Sequence, residues 1–340
     1  MRIAQLAPLY ESVPPRLYGG TERVVAWLTE ALVRRGHDVT LFASGDSRTS
    51  ARLIAPCPRA LRLDGGGLDA VALHTRELAE AFSRSAEFDV IHSHVDHLAF
   101  PFSRRARARV VHTMHGRLDV PHVPLLFEEF SDLPVVSISD AQRVPLRGRT
   151  VNWAGTVHHG LPPEGIPFRA DPDAYLVFLG RMSPEKRPDL AIEIARRVGL
   201  PLKIAAKVEE ADRRYFDRVI APLLADPLVE FLGEVNDAQK FALLGGALCL
   251  LFPIDWPEPF GITMIESLAC GTPVIARPCG AVPEIVLDGV TGFIGDTVED
   301  LAHAVKRLDH LDRARCRRDI EERFSVEAMT SRYEAVYARL

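Results

Sequence analysis

The chain has 340 residues, 47% hydrophobic and 26% charged, and its 41 Lys and Arg against 46 Asp and Glu give a formal charge of -5. That length exceeds what one core usually supports, so two domains are expected. The composition is that of a globular protein, and the acidic balance gives no general argument for a nucleic-acid partner.

No stretch approaches the ~20 apolar residues of a membrane span, and the strand-like start at residues 1–8 lacks the apolar length of a signal peptide. The cysteines Cys57, Cys249, Cys270, Cys279 and Cys316 are odd in number and lack paired metal spacing. They read as reduced, mostly buried thiols of a cytoplasmic protein. The run Arg104-Arg105-Ala106-Arg107-Ala108-Arg109 is a local basic cluster. It could touch an anionic acceptor or a membrane surface, but a solvated helix end is the preferred reading.

Residues 2–7 read as a strand, and a loop with Pro8, Pro14 and Pro15 leads to Tyr18-Gly19-Gly20-Thr21. Thr21 is the expected N-cap of a helix whose Val24, Val25, Leu28, Ala31 and Leu32 share a face and which ends at Gly36. A second strand follows at 39–43. Strand, glycine loop, helix and strand open a doubly wound α/β domain, in which ligands sit at the carboxyl ends of strands. No G-x-G-x-x-G is present, so a dinucleotide fingerprint is not supported.

A helix at 67–87 precedes a strand at 89–94, where His92 and His94 point to one face. His97 and Asp96 lie close, which invites a zinc reading, but no Cys or carboxylate pattern completes a tetrahedral set and no metal is expected. The strand at 109–113 ends in Met114-His115-Gly116, and the strand from Val135 leads to Ser139 or Asp140 as the cap of a helix. Residues 157–162 end the first domain.

A linker at 162–173, rich in proline and small residues, separates two similar α/β patterns. The buried strand at 175–180 brings Arg181 and Lys186 into the loop that opens the next helix, a fork and a point charge suited to phosphate oxygens. Strands at 202–206 and 229–232 alternate with helices at 209–225 and 237–245. A buried strand at 248–252, a loop at 253–259 and a helix at 261–269 closed by Gly271 follow.

Glu258 stands just before that helix and Glu266 rides inside it. The first N–H groups near Gly261, Ile262 and Thr263 lack intrahelical partners and suit a phosphate. Two carboxylates beside an anion site would repel the anion, so their natural partners are hydroxyl groups. A ligand with phosphates in the middle and hydroxyls at both ends is a nucleotide sugar. A strand at 273–276 follows, and Val326, Met329, Tyr333, Val336, Tyr337 and Leu340 recur at helical spacing near the end.

The stretch Pro257-Glu258-Pro259-Phe260-Gly261 through Glu266, followed by Ala269-Cys270-Gly271-Thr272-Pro273-Val274-Ile275-Ala276, resembles the retaining glycosyltransferases of family 4. Gly180-Arg181, four residues, Lys186 fits the same pattern. The likeness covers nearly the whole chain, with its specific motifs concentrated in the second half. It implies the GT-B fold: two doubly wound Rossmann-like domains facing across a cleft, 1–162 on the acceptor side and 163–325 on the donor side. The helix 326–340 would cross back to the first domain.

The resemblance further implies roles. Glu258 and His115 would hold the transferred sugar, Glu266 the ribose, and Arg181 and Lys186 the diphosphate. Gly19 and Gly20 would approach the donor phosphates, and Gly180, Gly233, Phe260, Gly261, Ile262 and Thr263 would complete the donor site. His94, Ser139 and His159 are the acceptor-side candidates. Three departures stand out: Ala206-Lys207 where glycine is usual, Cys279-Gly280 where Gly-Gly is usual, and His159 where Asn is common. The roles of Lys207 and His159 stay open.

The implied activity is retaining transfer of a sugar from a nucleotide-diphosphate sugar, UDP favoured and GDP possible, to a hydroxyl acceptor. Attack would come from the face of departure, with the leaving phosphate taking the acceptor proton, and neither a metal nor a resident cofactor is called for. Double displacement through Glu258 is the alternative mechanism. A sugar-nucleotide epimerase of the same architecture and a non-catalytic nucleotide-sugar binding protein are the alternative functions. The lack of a long apolar or basic amphipathic helix favours a small or soluble acceptor over a lipid or membrane. Small bacterial members that decorate natural products or build surface polysaccharides are the nearest in kind.

Overall fold

The computed structural model describes every residue except 18 and 64–68. The chain splits into two compact units, Met1–Gly160 with Val326–Leu340, and Leu161–Ser325.

Among the described residues the first unit is built on seven parallel strands: β1 (Arg2–Leu6), β2 (Asp38–Phe42), β3 (Arg52–Ile54), β4 (Val90–Ser93), β5 (Arg109–Thr113), β6 (Val135–Ser137) and β7 (Trp153–Thr156). Their order in the sheet is β3-β2-β1-β4-β5-β6-β7. The chain winds one way from β1 and returns to wind the other way from β4, so the switch point lies between these two strands. Apolar runs make the central strands, as expected where helices cover both faces. The His94 N–H to Leu6 carbonyl bond, 2.9 Å, carries the pairing one residue past β4.

The second unit repeats the plan with β8 (Leu176–Arg181), β9 (Leu202–Lys207), β10 (Val229–Gly233), β11 (Cys249–Phe252), β12 (Val274–Ala276) and β13 (Gly292–Ile294), ordered β10-β9-β8-β11-β12-β13. Its switch point lies between β8 and β11, which sets the Arg181 loop beside the Glu258 loop. Helix Pro188–Val198 starts on a proline, whose missing N–H is no loss there. It buries Ala191, Ile192, Ile194 and Ala195 against Leu176, Phe178, Ile204 and Leu251 of the sheet. Each such Ile or Leu contributes roughly 1.5–3 kcal/mol.

Several expectations need correction. The first long helix is Gly20–Arg34 with Gly19 at its N-cap, and Thr21 sits inside the first turn because the Arg23 N–H already reaches the Gly19 carbonyl. Tyr18 of the expected loop lies outside the described residues. So do residues 67 and 68 of the helix expected at 67–87. That helix is Ala70–Ser83, capped by Asp69, and residues Ser85–Glu87 form a separate 3-10 turn.

No single helix fills 209–225. The segment breaks into a 3-10 turn, a short α-helical turn Arg213–Tyr215, a π-helical stretch Phe216–Ile220 and a 3-10 turn Ala221–Ala225. Pro222 offers no N–H, and its ring would meet a carbonyl four residues back in a regular helix. The helix after β6 is likewise a 3-10 segment, Ala141–Leu146, with Pro145 inside; Ser139 Oγ accepts from the Gln142 N–H at 3.0 Å.

Helix Val326–Arg339 belongs to the first unit and buries Met329, Tyr333, Val336 and Tyr337. Arg35 clamps it through Glu327 at 2.6 Å and Glu334 at 2.5 Å. No helix among the described residues is long and apolar enough to cross a membrane.

Candidate functional site

At the switch point of the second unit, β8 ends on Arg181 and β11 runs into the loop that carries Glu258. The Asp255 N–H to Glu185 carbonyl bond, 2.9 Å, ties the two loops together. Lys186 forms an ion pair with Glu258, and both side chains are mostly buried. Trp256 completes the group: its Nε1–H donates to Glu258 at 2.9 Å, and the Lys186 ammonium lies 4.6 Å from its ring centroid. Arg181 is ringed by carboxylates, pairing with Glu185 and standing 3.3 Å from Asp212 and 3.9 Å from Glu209. Lys207 is the register neighbour of Arg181 on β9 and stands 3.9 Å from Glu209.

Helix Ile262–Ala269 begins beside Glu258. Gly261 caps it at φ 89°, and the first helical bond runs from the Met264 N–H to the Gly261 carbonyl, 3.0 Å. The N–H groups of Ile262 and Thr263 precede that bond and carry the positive end of the helix. One turn on, Glu266 is buried and bonded to Lys240 at 2.5 Å. Lys240 reaches it from helix Asp237–Gly246 and also stands 3.0 Å from Asp237. Each of the two carboxylates is thus held by its own lysine, on either side of the helix start. A diphosphate would compete for Lys186 and leave Glu258 free to accept hydroxyl donors.

In the first unit, His115 follows β5. Its backbone N–H donates to Asp96 Oδ1 at 3.2 Å, and Gln142 donates to the carbonyls on either side, Met114 at 2.9 Å and Gly116 at 2.7 Å. Asp96 has φ 48°, a left-handed conformation that Asp tolerates better than most residues. The His115 ring bonds His94 at 2.9 Å and stacks on His159 with centroids 5.2 Å apart. Burial pushes the His115 imidazole down to about 3, and His94 and His159 are likewise lowered well below the usual range. Among the described residues no three His, Cys, Asp or Glu are grouped as a metal site.

The structure therefore gathers Arg181, Lys186, Glu258, Gly261, Ile262, Thr263 and Glu266 in one unit, and His94, His115 and His159 in the other. Ser139 is buried after β6, Gly180 lies in β8, and Gly233 ends β10 at φ 71°. Phe260 is buried against Phe324, with centroids 6.0 Å apart. Gly19 and Gly20 open the first helix, and a Cβ on Gly19 would stand 2.7 Å from Pro15 Cβ. Glu22 turns aside onto its own loop, accepting from the Glu11 N–H at 3.3 Å. Arg104 pairs with Asp132 at 2.7 Å, as a solvated helix end does.

Sequence reasoning missed Lys240, Trp256 and Gln142, and it weighed Asp96 only beside a metal, whereas the structure sets it on the His115 N–H. For Lys240 a signal existed: a lysine followed by Phe241-Ala-Leu-Leu on a short helix, spaced to face inward.

A family profile described as glycosyl transferases group 1 matches residues 166–323, and one described as glycosyltransferase family 4 matches residues 18–174. The chain is 30% identical to N-acetyl-alpha-D-glucosaminyl L-malate synthase of Bacillus anthracis over 128 residues, 35% of this chain and 33% of that protein. The chain thus spans about a third of the length of this first relative. D-inositol 3-phosphate glycosyltransferase of Mycolicibacterium smegmatis is 27% identical over 348 residues, 87% of this chain and 79% of that protein. Among solved structures, Anabaena HepE in complex with UDP and glucose superposes with a TM-score of 0.76 at 17% identity, covering 100% of both chains. The chain thus carries a glycosyltransferase family 4 domain at residues 18–174 and a group 1 glycosyl transferase domain at 166–323, on two parallel-sheet Rossmann-like units that share the fold of solved glycosyltransferases.

Proposed function

We propose that the protein is a retaining glycosyltransferase that moves a sugar from a nucleotide-diphosphate sugar, preferably a UDP-sugar, to a hydroxyl of a small or soluble acceptor. The observation that carries this reading is the pair of lysine-held carboxylates, Lys186–Glu258 and Lys240–Glu266, bracketing the start of helix Ile262–Ala269. Phosphate fits the helix start and the two cations Arg181 and Lys186; hydroxyls fit the two glutamates. Sugar hydroxyls are assigned to Glu258 and ribose hydroxyls to Glu266.

In the transfer step the bond from the anomeric carbon to the phosphate oxygen breaks and the bond to the acceptor oxygen forms on the same face. The acceptor proton passes to the departing phosphate oxygen, and the nucleoside diphosphate leaves. Arg181, Lys186 and the helix start stabilise the charge that develops on the phosphate, which is the main electrostatic task. No protein nucleophile or metal is needed in this scheme.

The first unit takes the acceptor, with His94, Ser139 and His159 as contacts and His115 meeting a substrate hydroxyl. UDP is preferred over GDP because the HepE structure holds UDP and glucose. Malate and inositol phosphate in the relatives' names favour a small polar acceptor. The five free cysteines support a reducing compartment, and the cytoplasm is the one this reading favours.

The test is transfer from a panel of UDP- and GDP-sugars to polyol and hydroxy-acid acceptors, with the anomeric configuration of the product read by proton NMR. Acceptor-dependent nucleotide release with retained configuration, unchanged by a chelator, is expected. An inverted product overturns the retaining reading, and conversion of the donor without acceptor overturns the transferase.

A further inference from the structure

In the first unit an unbroken hydrogen-bond chain links the C-terminal helix to His115. Tyr337 OH lies 2.7 Å from His92 Nδ1, and Gln5 Nε2 donates to the same hydroxyl at 3.3 Å. Gln5 Oε1 lies 2.8 Å from His94 Nε2, and His94 Nδ1 lies 2.9 Å from His115 Nε2. At the other end His92 Nε2 meets Thr113 Oγ1 at 2.7 Å, and Thr113 meets Tyr333 OH at 3.1 Å.

These contacts fix a direction. A neutral imidazole has one N–H and one acceptor nitrogen, and a phenol has a single proton. The phenol is the better donor and the imidazole nitrogen the better acceptor, so the short 2.7 Å contact spends the Tyr337 proton on His92. Gln5 must then give its NH2 group to the Tyr337 oxygen, which turns its carbonyl towards His94. That carbonyl accepts from His94 Nε2–H, so His94 Nδ1 is an acceptor and His115 Nε2 is the donor to it. His115 Nδ1 is left as a bare lone pair, buried and without a hydrogen-bond partner among the described residues.

We propose that Tyr337, acting through Gln5 and His94, is a positioning residue that locks His115 in the Nε2–H tautomer, so that His115 meets its substrate only as a hydrogen-bond acceptor for a hydroxyl. This rests on the reading that His115 faces the substrate. With its imidazole held neutral by burial down to about 3, His115 neither donates a proton nor attracts a carboxylate or phosphate. The tyrosine that makes this choice sits on helix Val326–Arg339, more than two hundred residues further along the chain.

The tautomer is read directly from the two-bond nitrogen–proton correlations of the protein labelled with 15N-histidine. It contains 12 histidines, and the His115 signal is assigned by its loss in His115→Gln. The wild type should show His94 and His115 protonated on Nε2 alone. Tyr337→Phe keeps the ring but removes the hydroxyl, which frees Gln5 to turn over. His115 should then populate both tautomers, and kcat/KM should fall about two- to tenfold in proportion to the competent fraction lost.

Tyr333→Phe is the control, because its hydroxyl lies at the far end, beyond Thr113. It should leave the His115 signal and the rate unchanged. An Nδ1–H tautomer in the wild type, an unaltered His115 signal in Tyr337→Phe, or equal effects of the two Phe variants would overturn the proposal. The spectrum needs no substrate, so it stands apart from the transferase reading. That reading is tested separately by whether His115→Gln abolishes transfer.

Discussion

The main chain of Glu258 lies against Gly280: a Cβ placed on Gly280 would stand 2.3 Å from the Glu258 nitrogen and 2.3 Å from its carbonyl oxygen. Gly280 also has φ 59°, and the adjoining Ala281 N–H donates to the Glu258 carbonyl at 2.9 Å. Backbone cannot give way as a flexible side chain can, so Gly280→Ala must displace the loop that carries Glu258. A shift of about 1 Å at a reacting group costs on the order of a hundredfold in rate. Gly280→Ala should therefore lose about that much kcat/KM while circular dichroism stays native, and a rate within twofold of wild type would contradict this.

The Lys240–Glu266 pair gives a prediction on stability. Both residues are buried, so Lys240→Met leaves a carboxylate without its cation, a loss of roughly 3–5 kcal/mol. The double variant Lys240→Met with Glu266→Leu should recover most of that in urea unfolding and still fail to bind the nucleotide. Equal stability of the single and double variants would show that the ion pair is not what holds this part of the unit.

Acid should unfold the first unit early. Burial lowers His92, His94, His112, His115 and His159, with His112 and His115 brought down to about 3. In the unfolded chain the same groups take up protons near pH 6.5. Below that pH the unfolded chain binds more protons than the folded one, so stability is full above about pH 6.5 and is lost as the pH falls. Each fully mismatched histidine contributes a slope of about 1.4 kcal/mol per pH unit. The urea midpoint should drop steeply between pH 7 and pH 5, and a flat profile there would count against neutral buried histidines.

Glu77 runs the opposite way. It is buried on helix Ala70–Ser83, neither carboxyl oxygen has a hydrogen-bond partner among the described residues, and burial raises it well above the usual carboxylate range. Burial favours its neutral form when folded, while the unfolded chain lets it ionise, so stability is lost as the pH rises past about 4.5. Glu77→Met removes that loss and should stabilise by about 1–3 kcal/mol at pH 8, and by less at pH 5. A variant less stable at pH 8 than at pH 5, each against wild type, would refute it.

Local patterns made the second unit readable. Arg181, Lys186, Glu258 and Glu266 lie in loops or helix starts next to apolar strands, and a parallel sheet puts such loops on one rim. What stayed hidden were partners that only the fold brings together. Gln5 meets His94 across 89 positions and Lys240 meets Glu266 across 26, and neither spacing belongs to any local element. Edge strands were missed for a related reason: β3 and β7 are only partly buried, so they carry no continuous apolar run. At 209–225 one helix is expected between two strands, but Pro222 breaks the hydrogen-bond ladder that such a helix needs.

The most direct test of the account is a thermal-shift panel of UDP, GDP, ADP and NAD, with the matching sugar nucleotides, on the wild type and on Glu266→Ala. A ligand at 100 times its dissociation constant stabilises the folded protein by about 2.7 kcal/mol, enough for a clear rise in Tm. The account predicts that UDP and its sugars raise the Tm most and that Glu266→Ala blunts that rise. A response to NAD alone, or no response to any nucleotide, would contradict a nucleotide-sugar site at the Glu258 helix.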